Sequence, residues 1–272
     1  MKLFRAPVVA IAAVAAFAVP AAVEAHRIWM LPSSTVLSGD EAWVTIDAAV
    51  SNELFYFNHQ PLRGDFTATA PDGTAMEIHN LNTGRFRSTF DVHLTQQGTH
   101  RVGLVREGAI GSYMLNGERQ RLPRGFQMSQ MASLPAGATD VQVVENHSRT
   151  EAYLTLGAPT ATLFQPTGKG IELVPVTHPN DLYADEPGVF RFLLDGQPAA
   201  NLEVTIVPGG SRYRDEVGEM HLTTDAQGEV TIAWPQPGMY WMNLTSGGGD
   251  EDEGTAPARR ASYAATLEVL AP

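Results

Sequence analysis

The stretch AAVEAHRIWML, residues 21–31, closes an apolar run and then presents a histidine. Cleavage after Ala25 would make His26 the first residue of a mature chain. A free α-amino nitrogen would then stand beside the imidazole, and the amine together with Nδ1 closes a chelate ring around a metal ion. A second imidazole completes a T-shaped set of three nitrogens suited to Cu(II); Ni(II) or Co(II) would use it with added oxygen ligands. The amine binds only when deprotonated. Its ordinary pKa of roughly 7.7–8.0 makes such binding weaken as pH falls.

The second ligand must come from His59, His79, His93, His100, His147, His178 or His221. None of these pairs shows the i, i+4 helical spacing of a zinc protease. His59 ranks first because the aromatic run LFYF precedes it and would wall a site against water. His100 and His93 follow, since they flank the turn expected at LTQQG and would face each other across a hairpin. Asp47 and Asp91 are the carboxylate candidates, each at the edge of a strand-like run. Any single one of these histidines is more often a surface or hydrogen-bonded strand residue than a ligand. Met128 and Met131 in FQMSQM offer soft sulfur, but core filling is their commoner use. The acidic run at 250–253 reads as a solvated loop, and RYRD at 212–215 as a salt bridge at a sheet edge.

The elements that would position these residues are strands. Residues 1–25 have the form of a secretory signal peptide: Lys2 and Arg5, an apolar stretch from Val8 to Val19, then Pro20 and small residues before the cut. Beyond it, runs rich in Val, Thr, Ile and aromatics alternate with Gly, Pro, Asn and Asp punctuation, as in WVTIDAAV at 43–50 and IELVPV at 171–176. This pattern predicts an all-β chain of two β-sandwich domains, 26–160 and 161–272, with the boundary in the Pro/Thr/Gly-rich segment 158–170. The segment 120–137 has no period and reads as a long loop with one helical turn. TTDAQGEVTIAW, at 223–234, reads as a hairpin, and PGMYWMNL as its next strand. That order is similar to the small prealbumin-like or carboxypeptidase-regulatory sandwich, a likeness of fold that confers no activity.

Composition narrows the function classes. The formal net charge of −12 disfavours nucleic acid and anionic lipid surfaces. With no cysteine, the chain has neither disulfides nor a thiolate metal site, so its stability must come from a packed core. There is no GxSxG elbow, phosphate-binding glycine loop or thiol nucleophile. The four tryptophans, Trp29, Trp43, Trp234 and Trp241, all fall in strand-like or core-like contexts, so no flat aromatic substrate face is expected.

AHRIWMLPSSTVLSGDEAWVTIDAAVSNELFYFNHQPL, TAPDG, VPGGSRYRD, TTDAQGEV, PGMYW and SYAATLEVL together resemble a bacterial periplasmic family of uncharacterised function. Its members are often labelled periplasmic components of cobalt or nickel transport systems. The resemblance spans essentially the whole mature chain. It implies export to the periplasm, two β-sandwich domains and an association with uptake of a transition metal or a metal complex. It supplies no catalytic residues; His26 matches the opening motif, with His59 second. The expected function is thus a non-catalytic, metal-binding accessory protein in the periplasm, not embedded in the membrane, whose partner is a membrane uptake system or envelope protein. Two alternatives stand beside it: a structural or protein-interaction module, and a histidine-brace copper oxidase acting on a polymer.

Overall fold

The computed structural model describes residues 26–247 and 258–272, nearly all of them in strands, turns and loops. The expected leader and the acidic run at 250–253 lie outside the described residues.

The strands form three sheets. The first has five strands, in the order Arg27–Pro32, Ala42–Ser51, Ser88–Leu94 and His79–Thr83, with Gln60–Pro61 pairing on Ala42–Ser51. The third has four: Ile171–Pro175 and Glu229–Ala233 flank Pro187–Leu194, which turns back tightly at Asp195-Gly196 into Gln197–Pro198. Between them runs a ten-stranded sheet. Its spine is two 18-residue strands, Gly98–Leu115 and Thr139–Leu156, paired antiparallel from end to end. The closing strand Ala258–Val269 then lies parallel to Thr139–Leu156, with Ala264 beside Thr150.

Because side chains alternate across a strand, this large sheet serves both sandwiches. On Thr139–Leu156, Leu154 and Leu156 pack with Met30, Ile46, Phe90 and Val102 in one core. Tyr153 points the other way, joining Phe190, Phe192, Trp234, Tyr240 and Tyr263 in the second. The two sandwiches therefore share a sheet, each using one face of it. A third cluster, Trp29, Ala49, Leu54, Val207, Trp241 and Ala264, packs the N-terminal strand against the C-terminal half.

A charged group is buried in the second sandwich. Arg149 donates to Glu151 at 3.1 Å and approaches Glu172 of the third sheet at 3.5 Å. The Tyr153 hydroxyl donates to Glu151 at 2.6 Å and lies 3.2 Å from that of Tyr263. Burial, reinforced by the Glu151 carboxylate, pushes both phenols well above their ordinary value.

Two turns expected to close hairpins do not. Met220–Thr223 pairs with Glu203–Pro208 in the large sheet, whereas Glu229–Ala233 belongs to the third. The turn between them is locally tight: the Gln227 and Glu229 amides both donate to Asp225 Oδ1 at 2.8 Å. A Cβ at Gly228, whose φ is +76°, would lie 2.3 Å from the Phe192 carbonyl oxygen. Buried Thr224 anchors the corner, its hydroxyl donating to Ala199 O and accepting from Leu202 N–H. Likewise LTQQG carries the chain from the first sheet into the large one, so His93 and His100 do not face each other across a hairpin. The segment 120–137 contains one 3₁₀ turn, Met128–Ser133, as expected.

Candidate metal centre

Arg27–Pro32 and Gln60–Pro61 flank the same end of Ala42–Ser51, with Ile28 and Gln60 both opposite Val50. His26 precedes the first of these strands and His59 the second, so the topology sets them on either side of one strand end. Two inter-strand spacings separate such positions by about 10 Å, a gap that two inward-leaning imidazoles close. The ring centroids of His26 and His59 are 4.1 Å apart, with 31° between the ring planes. Both residues are exposed to solvent.

The base beneath this pair is tightly held. The Arg27 guanidinium donates to the Asn52 carbonyl at 2.6 Å and pairs with Glu219 at 2.9 Å. The Trp29 indole N–H donates to Ser51 Oγ at 2.8 Å, and its ring meets Phe55 and Phe57 at 5.4 and 5.5 Å. From the C-terminal half, the Trp241 N–H donates to the Ile28 carbonyl at 2.9 Å. The aromatic run before His59 thus buttresses the strand that carries His26.

The remaining candidates lie elsewhere. His100 is 1% exposed, and neither of its ring nitrogens has a hydrogen-bond partner. Burial holds its pKa below the ordinary value. His93 is on the outer face of the first sheet, stacked on Trp43 at 4.3 Å with Nε2 3.1 Å from Glu41. Asp47 lies mid-strand, about 13 Å from the strand end at 3.4 Å per residue, and accepts from Arg87 at 3.2 Å. Partial burial raises its pKa, against the pull of that guanidinium. Asp91 accepts from Thr45 and Asn80, bonds that hold its pKa low. No cluster of three or more His, Cys, Asp or Glu side chains that could hold a metal occurs among the described residues. What the fold assembles is an imidazole pair, and the α-amine of His26 is the donor that cleavage would add. The donor types suit Cu(II), Ni(II) or Co(II), and two trans imidazoles on one ion, with bonds of about 2 Å, hold their ring centroids about 6 Å apart, so the rings must part from 4.1 Å to take a T-shaped set.

Two features escape the sequence reading. Trp43 is 54% exposed, packed by His93 and by the edge of His79 at 5.1 Å, so one tryptophan does stand on the surface. The alternation of WVTID, with Val44 and Ile46 buried, was the signal that would have placed it there. The second is a cavity beside His147, which no spacing in the sequence announces.

An all-β chain with two cores on one shared sheet and an exposed histidine pair at a strand end is the class of protein defined here. By sequence it belongs to a family described as a domain of unknown function, DUF4198, whose model matches residues 23–247. No curated protein matches the chain. Among solved structures it is similar to the D0–D1 domain of intimin, at 10% identity and TM-score 0.22, covering 89% of this chain and 97% of that one. Trypsin-activated alpha-2-macroglobulin from Escherichia coli shares 12% identity at TM-score 0.20, over 89% of this chain and 16% of that one. A DUF4785 family protein from Legionella pneumophila shares 8% at TM-score 0.21, over 79% and 50%. At such scores nothing about a site follows from them. No helix among the described residues is long and apolar enough to cross a membrane.

Proposed function

We propose that the mature protein is an exported, non-catalytic metal-binding protein that captures a transition metal ion or a small metal complex at His26 and His59. The observation that carries this reading is the 4.1 Å separation of two imidazoles drawn from opposite sides of one strand end. The chemistry needs a third nitrogen, and the α-amine released by cutting before His26 supplies it. Cu(II) matches three nitrogen donors best, and Ni(II) or Co(II) would add oxygen ligands. The location is the periplasm, and the partner a membrane uptake system or envelope protein that receives the cargo. The cobalt or nickel association rests on the resemblance alone, since the family's description names no metal.

Titration of Cu(II) and Ni(II) into two mature forms tests the reading. The form beginning at His26 is expected to bind one equivalent tightly, and a form with one extra alanine in front to lose that binding. His59→Ala should weaken binding at least tenfold at an unchanged melting temperature. Equal binding by the two forms, or none, would abandon the terminal chelate and leave an interaction module as the reading.

A copper oxidase acting on a polymer is the other chemistry open to such a pair, but exposed Trp43 lies seven residues from Val50, about 24 Å along the strand, and adds no substrate face beside it. Consumption of oxygen and ascorbate by the copper-loaded His26 form, with peroxide or cleaved polymer as product, would support the oxidase; binding without turnover supports the accessory role.

A further inference from the structure

On Ala42–Ser51 the buried residues Val44 and Ile46 alternate with Trp43, Thr45 and Asp47, which face away from the core. The register sets Trp43 opposite His93, Thr45 opposite Asp91 and Asp47 opposite Thr89. The edge strand His79–Thr83 adds His79 opposite Asp91 and Asn82 opposite Thr89. Together these side chains make the outer face of the first sheet, about 14 Å long from Trp43 to Asp47 at 3.4 Å per residue.

The face has an apolar end and a polar run. The Trp43 indole is stacked on the His93 ring at 4.3 Å and met by His79 at 5.1 Å, yet the residue is 54% exposed. A large side chain already held in place, and still open to solvent, offers apolar surface with little rotamer freedom left to lose on binding. Beside it, Asp91 accepts one bond at each carboxylate oxygen, from Thr45 at 2.6 Å and from Asn80 at 2.8 Å, and each oxygen keeps a second acceptor site. Asp47 follows, held by Arg87 at 3.2 Å, and the Arg87 guanidinium over the Phe57 ring at 4.4 Å closes the far end.

This chemistry selects its guest. Glu41, Asp47 and Asp91 outnumber Arg87 here, which disfavours a polyanion. Thr, Asp and Asn side chains separate Trp43 from Phe57, so no continuous apolar patch of the kind that centres a protein interface is present between them. A pyranose answers both parts of the face. Its C–H surface is apolar and flat enough to lie on an indole, and its rim of hydroxyls donates to carboxylates and accepts from a guanidinium. Linked rings repeat that pairing along the strand.

We propose that the outer face of the first sheet binds a neutral glycan chain, with one sugar ring on Trp43 and the following rings hydrogen-bonded to Asp91 and Asp47. The site is independent of the histidine pair. Trp29, Trp234 and Trp241 are buried, so the tryptophan emission that acrylamide can quench reports Trp43. Calorimetric titration of the mature protein with cellohexaose, maltohexaose and N-acetylchitohexaose, with polygalacturonate as the anionic control and acrylamide quenching in parallel, tests the proposal. At least one neutral hexasaccharide is expected to shield the indole and to bind roughly tenfold or more tightly than its own monosaccharide. Trp43→Ala should abolish that binding at an unchanged melting temperature, and Trp43→Tyr should restore part of it. Asp91→Ala should weaken it, while His26→Ala leaves it unchanged. Silence from all the neutral glycans, or affinity indifferent to Trp43→Ala, would overturn the proposal. Tighter binding of polygalacturonate would replace it with an anion site, and a dimer in sedimentation that Trp43→Ala dissociates would give the face to a second copy of the chain.

Discussion

At the scale of single residues, the histidines divide by their surroundings. His26 and His59 are exposed and adjacent, His93 is part of an outer-face stack, and His100 is sealed in a core without a hydrogen-bond partner. Sealing has a consequence in pH. Burial keeps His100 neutral in the native state, its pKa held below 6.5, while the unfolded chain takes up a proton near that value. The unfolded state then gains protons that the native state refuses. Stability from this site is present above pH 6.5 and is lost as pH falls from there through the lowered native pKa. His100→Leu removes the titration at similar volume. Its melting temperature relative to the unmutated protein should rise between pH 7.5 and pH 5; a gap constant with pH would show that His100 does not titrate in this way.

At the scale of elements, the turns decide the architecture. The chemistry of TTDAQGEV is that of a tight turn, and a tight turn forms, yet the flanking strands diverge into two sheets. Buried Thr224 bonds to Ala199 and Leu202, and these bonds hold the corner open. Thr224→Val keeps the shape and leaves the Leu202 N–H without its acceptor. Loss of about 1–3 kcal/mol is expected in chemical denaturation, the cost of an orphaned buried donor. A loss under a few tenths would mean that the corner is set by strand packing alone.

At the scale of the whole molecule, the shared sheet makes the halves interdependent. Tyr153 and Leu154, successive residues, sit in different cores. Denaturation followed by tryptophan fluorescence and by far-ultraviolet circular dichroism should therefore trace one coincident transition; two resolved transitions would contradict this coupling. The Arg149 group bolts the third sheet to this scaffold. Burial works against the charge of Glu172, but the Thr167 hydroxyl and amide, the Gly168 amide and Arg149 outweigh it and hold the pKa below 4.5. Arg149→Met would leave buried Glu172 without its cation and Glu151 with only Arg101, 3.8 Å away, at a cost of about 3–5 kcal/mol. Far-ultraviolet circular dichroism in urea reads that cost as a lower midpoint.

Strand content, the 3₁₀ turn within 120–137 and the aromatic run before His59, which packs on Trp29, were legible in the chain. They depend on local alternation, turn residues and a short stretch of neighbouring aromatics, all of which act over a few residues. The partners of each strand were not legible: hairpins and sheet-crossing corners use the same Asp, Gly and Thr chemistry, and only long-range packing chooses between them. That choice buried His100, put His93 and Trp43 on an outer face, and brought His147, Lys169 and Asp195 from distant segments around one cavity. Period and punctuation in the sequence determined what each segment is; the pairing of segments, a balance of burial over the whole chain, decided what each side chain meets.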